Sequence, residues 1–326
     1  MHTWEGNPDL KPAPDFGTLG PGSDLQPRAP RDPQALRVRV IAVLVAAALM
    51  GLLFAGTKNA RAAWSQIAEL LSLHGKPQPA SPAILSEHEI EQLGQHSVQK
   101  QAELLLERAI NHYDGANDQI AARVDRWRGS LKLTSQLNSQ ITTGMNSNDL
   151  RVRAAAIEVD LAALDQAKTP ANVDRLAQEA ESGSQQQRIW ALWTLGLLGN
   201  RGVEPDRVSQ VLTSQLHDSN PEVRHWAVEG LAYLGTDDTI APLLETFHDD
   251  PSPMVRERAA CSLAQSGMLN EQQRRSVVPK LLDYAEDTAL DAQTHAWVYH
   301  ALRDITGQNL PADPAAWRNW YSTSQN

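Results

Sequence analysis

The stretch DSNPEVRHWAVEGLAYLG, Asp218–Gly235, is answered 32 residues later by DPSPMVRERAACSLAQSG, Asp250–Gly267. Each reads as a turn followed by one helix, and the arginines Arg224 and Arg256 fix a common register. Arg188 and His295 mark two further copies, at landmark spacings of 36, 32 and 39 residues. Three residues past each landmark stand Ala191, Ala227, Ala259 and Val298; seven past stand Leu195, Leu231, Leu263 and Leu302. Ten past come Leu198, Leu234, Ser266 and Ile305. These offsets fall on one face of a helix with 3.6 residues per turn, so each copy offers a single apolar stripe. Gly199, Gly235 and Gly267 are expected to end three of the helices, and Gly307 the fourth, one residue late.

Shorter apolar helices fit between the landmarks, carrying Val208, Val211 and Leu212, then Ile240, Leu243, Leu244 and Phe247, then Val278, Leu281 and Leu282. Helix pairs at this period, with no strand signal, predict an all-α fold: an α-solenoid in which each pair covers its neighbour's apolar face. Asn148–Leu164, NDLRVRAAAIEVDLAAL, reads as a degenerate earlier copy, giving five units.

The two quoted stretches, with Pro242 and Pro279 inside first helices, resemble the HEAT-repeat family in its bacterial, membrane-anchored form, over roughly Asp149–Asn326. The resemblance implies a ladder between a turn aspartate and the arginine of the second helix, making Asp218 with Arg224, and Asp250 with Arg256, structural. His295 stands in the place of the last arginine, so the ladder should fade there. The resemblance also implies that the second helices line a concave surface on which another protein binds.

The remaining organisation is read from composition. Residues 1–36 form a Pro/Gly-rich tail with too little apolar content to offset the entropy of ordering. A membrane span is placed at 37–57 around the uncharged run Val40–Gly56, which is bounded by Arg39 and Lys58. Its 17 residues cover about 25 Å as a helix, and the flanking cations can reach the headgroups. Residues 58–85 read as a juxtamembrane helix and Pro-rich linker, residues 86–146 as an N-terminal helical region opened by a Ser86–Glu89 capping box, and 147–326 as repeats closed by a capping helix after Asp313. The small excess of arginine before the span favours a cytoplasmic N-terminus, with the repeats outside the cytoplasmic membrane.

Chemistry is sparse. The chain carries a net charge of −10, and residues 81–326 hold 21 Lys plus Arg against 33 Asp plus Glu. That disfavours a nucleic-acid partner. A single cysteine, Cys261, excludes an intrachain disulfide. His217-Asp218 and His248-Asp249-Asp250 sit at matching corners and offer the alternative reading, a metal-dependent enzyme or a lyase-type HEAT-like protein. No nucleophile elbow or phosphate loop accompanies them. The preferred reading is a non-enzymatic scaffold with no cofactor and no small-molecule substrate, whose partner is another protein. Five residues past the landmarks stand Trp193, Glu229, Cys261 and His300, opposite the apolar stripe; Trp193, Glu229 and His300 are the candidate partner-binding residues.

Overall fold

The computed structural model describes residues 83–324. The Pro/Gly-rich tail, the span at 37–57 and the linker as far as residue 82 lie outside the described residues. Among the described residues, no helix is long and apolar enough to cross a membrane.

The N-terminal region is helical as expected. Helix α1 (Glu87–Leu93) begins with the Ser86–Glu89 capping box, followed by α2 (Val98–Ile110). Two short helices follow, α3 (Ala116–Ala121) and α4 (Val124–Trp127), divided at Ala122–Arg123. Helix α5 (Ser135–Met145) follows, and then α6 (Leu150–Ala163), capped by the Asp149 side chain.

Beyond this the pairs repeat. They are α7 (Pro170–Ser182) with α8 (Gln185–Asn200), α9 (Pro205–Gln215) with α10 (Pro221–Leu234), and α11 (Ile240–Asp249) with α12 (Pro253–Ala264). In the fourth pair the first helix is divided into α13 (Glu271–Ser276) and α14 (Val278–Glu286), and the second is α15 (Ala292–Thr306). Helix α16 (Pro314–Ser324) closes the stack. Leu195, Leu231, Leu263 and Leu302 are fully buried, as are Val208, Leu212, Leu243, Phe247 and Leu281, so one continuous apolar layer joins the two rows of helices. Burying each such side chain contributes roughly 1.5–3 kcal/mol.

Two glycines behave differently from the expectation. Helix α8 runs on through Gly199 to Asn200, and α12 ends at Ala264, before Gly267. Gly235 and Gly307 do cap their helices, at φ 65° and 69°. Inside the stack, α8 and α10 cross closely at Gly196 and Gly230: a Cβ on Gly196 would lie 2.3 Å from the Gly230 carbonyl oxygen.

The ladder is displaced by one rung from the pairing read in the sequence. Each arginine does meet its own turn aspartate, but through the backbone: Arg224 Nη1 donates to the Asp218 carbonyl at 2.8 Å, and Arg256 Nη1 to that of Asp250 at 2.8 Å. The carboxylates belong to the next unit. Arg188 pairs with Asp218, Arg224 grips Asp250 at 2.7 and 2.9 Å, and Arg256 reaches Asp291 at 2.7 Å. A guanidinium has donors enough to satisfy both ends, and the planar fork fits a carboxylate. His295 ends the series. Burial alone would raise the Asp218 carboxyl, yet the Arg188 bond and the Asn220 N–H hold it below its ordinary value.

The count of units also changes. Helix α6 has the local features of a copy, because Arg153 donates to the Ser147 carbonyl six residues back, as Arg224 and Arg256 do in their own units. Its outward partners, however, are the carbonyls of Gln265, at 2.9 Å, and Gly267, at the far end of α12. Helix α6 therefore crosses the stack instead of extending it. Four pairs stack among the described residues, and α6 is the core of a bundle with α2–α5.

At the other end, Trp317 is fully buried, and its indole N–H donates to the Pro311 carbonyl at 2.9 Å. Arg318 fastens α16 to α14 through Asp283 and Glu286.

Candidate functional site

The face of the second helices opposite the apolar stripe, termed here the inner face, is where the sequence places the partner. The sequence builds it by register: residues at +1, +5 and +8 from each landmark turn away from the apolar stripe. The structure adds that in two places the +2 residue of one unit lies over the +5 residue of the unit before. Trp226 packs edge-on to Trp193 with ring centroids 6.0 Å apart, and Arg258 pairs with Glu229 at 2.8 Å.

This corrects the accessibility of two candidates. Trp193 is 1% exposed and Glu229 3% exposed, so neither offers a surface. Trp193 is enclosed by Trp226, by Tyr233 at 4.7 Å, and by Asp160 of α6, whose carboxylate accepts a side-chain hydrogen bond from it. His300 is exposed, with 67% of its side chain open to solvent and its Nδ1 2.8 Å from Asp304. Among the described residues, no +2 residue of a further unit covers it.

Under α6 the face holds a buried polar cluster that the register did not disclose. Burial raises the Asp160 carboxyl to about 7, against the Trp193 hydrogen bond, which favours the charged form. Burial likewise raises Glu229, partly offset by the charge of Arg258. His225 is driven down to about 4 by burial and by Arg258, so its imidazole is neutral. Burial also raises the Cys261 thiol. Of these groups Glu229 alone faces an opposite charge, the Arg258 guanidinium, which offsets the cost of burying its carboxylate. Arg153 and Arg274 bring guanidinium groups to the carbonyls of Gln265, Ser266, Gly267 and Leu269, where the negative end of the α12 dipole lies.

The histidine corners do not converge. His248 lies between Asp249 (2.5 Å) and Asp287 (2.9 Å) and against the Tyr284 ring. His217 is exposed at the rim of a groove of about 310 Å³ between the α9 and α11 corners, lined by Arg224, Glu245, Asp249 and the ladder aspartates Asp218 and Asp250. Among the described residues, no three His, Cys, Asp or Glu side chains are grouped to hold a metal ion.

The helix pairs thus stack regularly and are joined by an Arg–Asp ladder. The family model of HEAT repeats matches residues 173–264. That segment begins within α7 and ends with α12, so the HEAT match takes in three of the four stacked pairs. HEAT repeats are usually non-catalytic scaffolds that bind other proteins, and no enzyme family matches. No curated protein matches the sequence. The crystal structure of an engineered protein is similar over 67% of this chain and 97% of its own, at 18% identity and a TM-score of 0.32.

Proposed function

We propose that this protein is a membrane-anchored scaffold for protein–protein interaction, held at the cytoplasmic membrane by the span around Val40–Gly56. Its N-terminus is cytoplasmic and its HEAT repeats lie outside. The observation that carries the reading is the uncovered inner face at α15, among the described residues the one second helix whose +5 residue is exposed. A stack fixed by buried leucines and ladder arginines is rigid before a partner arrives, so docking costs mainly the partner's freedom. The uncharged run and its flanking cations support the anchor.

The test is proximity labelling in the native membrane, with the labelling enzyme fused after Asn326 of the full chain and, separately, after the anchor alone. A protein labelled with the full chain and absent from the anchor control supports the scaffold; identical profiles overturn it. Protease added to intact spheroplasts should degrade the repeats, and their protection would reverse the assigned orientation.

A further inference from the structure

The acidic body carries a basic stretch. Between positions 123 and 132, Arg123, Arg126, Arg128 and Lys132 stand against one carboxylate, Asp125, whereas residues 81–326 together hold 21 Lys plus Arg against 33 Asp plus Glu. The fold turns this stretch outward. Trp127 and Leu131 are buried and pin the chain from beneath, while Arg126, Arg128, Ser130, Lys132 and Leu133 are left exposed. The nearby carboxylates are already taken, Asp125 by Lys168 at 2.8 Å and Asp165 by Arg128 at 3.1 Å. Arg126 bonds the Ala122 carbonyl one turn back, at 3.4 Å, and among the described residues no carboxylate pairs with Arg126 or Lys132.

Two further observations point to what meets this surface. Among the described residues the exposed large apolar side chains are Ile84, at 70%, and Leu133, at 37%, and both lie in the N-terminal region, not in the stack. The same region receives the chain from the uncharged run Val40–Gly56. Residues 59–82, even fully extended, reach at most about 85 Å, and they lead to Ala83, whose carbonyl accepts from the Asp114 N–H between α2 and α3. Exposed cations beside an apolar side chain suit the boundary between phosphate headgroups and acyl chains. The acidic remainder of the body is repelled from that boundary, so opposite signs orient the molecule.

We propose that the exposed stretch Arg126–Leu133 rests on anionic phospholipid headgroups of the membrane that holds the anchor, with Arg126 and Lys132 on the phosphates and Leu133 at the acyl boundary. The contact fixes which way the stack faces, with the acidic repeats turned away from the lipid. The inference rests on the membrane-anchored reading and adds the surface by which the anchored protein is oriented.

The experiment uses the full chain in vesicles of phosphatidylcholine, with or without one third phosphatidylglycerol. Cys261→Ser with Ser130→Cys leaves one thiol, beside the stretch, for an environment-sensitive fluorophore. Its emission is expected to rise at least twofold on the anionic vesicles at low salt, relative to phosphatidylcholine alone, and to fall back at high salt. Arg126→Gln with Lys132→Gln should abolish the rise. Arg175→Gln with Arg275→Gln, which removes the same charge from exposed sites on α7 and α13, should preserve it. A fluorophore at Glu271→Cys, on α13 of the stack, should show no rise. No rise at position 130, a rise indifferent to the first pair of substitutions, an equal rise at position 271, or the same rise on adding inorganic phosphate to the phosphatidylcholine vesicles would overturn the assignment. A chain washed from the vesicles by alkaline carbonate overturns the anchor and this contact together; a chain retained without the rise overturns the contact alone, and the anchor stands.

Discussion

Trp193 and His300 occupy the same position in their helices, five residues past the landmark, yet one is sealed and the other is open. Register decides which way a side chain points; coverage is decided by what comes next. Trp193 has Trp226 of the following unit beside it and Asp160 of α6 bonded to it, whereas His300 has no following unit, and α16 packs on α14 instead. The inner face is thus covered at Trp193 and Glu229, half-buried at Cys261 and open at His300.

The strongest way to break this comparison is Trp193→Ala. A fully enclosed indole should cost about 3–5 kcal/mol of stability, because the helices around it collapse only partly into the space. Urea denaturation measures it; a loss below about 1 kcal/mol would mean that α6 does not seal the face.

A second prediction probes the seal through pH. The folded-state pKa of Asp160 is about 7, above its ordinary value of 3.8, so the folded chain keeps a proton that the unfolded chain has released. Its contribution is full below pH 3.8 and is lost as pH rises through 7. Asp160→Asn removes that loss. Relative to the parent, the variant should gain roughly 2–3 kcal/mol between pH 5 and pH 8, because about two of the three pH units over which the loss accrues fall in that interval. His225 runs the other way, since its folded value lies below 6.5 and its contribution disappears as pH falls towards 4. It is common to both proteins and cancels in the difference. Parallel pH profiles would show that the carboxyl is solvated.

Most of the stack was legible because its signals are local and repeated. The leucines at +7, the Asp–Arg turns and the Asp313 start of α16 each fix their own helix, and all three appear where the pattern put them. The rung shift was not legible, because both pairings place an arginine near two aspartates and only the three-dimensional offset chooses the next unit. The covering by α6 left a trace that periodicity alone passes over. Ile189–Gly199, IWALWTLGLLG, carries no charge on any side, and a helix apolar all round is buried all round. That signal outweighs the register argument that sent Trp193 to the surface. The partner of Arg153 lies more than a hundred residues away, and no spacing rule reaches it.

The smallest effect is the sharpest control. His300→Ala removes a side chain that is 67% exposed and makes one surface ion pair, to Asp304. Such pairs contribute at most about 1 kcal/mol, and exposed substitutions usually stay within about 0.5 kcal/mol. The urea midpoint should therefore hardly move. Measured beside Trp193→Ala, it compares the same register position with and without a cover, so the gap between the two variants is the energetic value of covering the inner face. A cost for His300→Ala that approached the Trp193 figure would mean that α15 is packed against something in solution, and the edge on which partner docking depends would already be occupied.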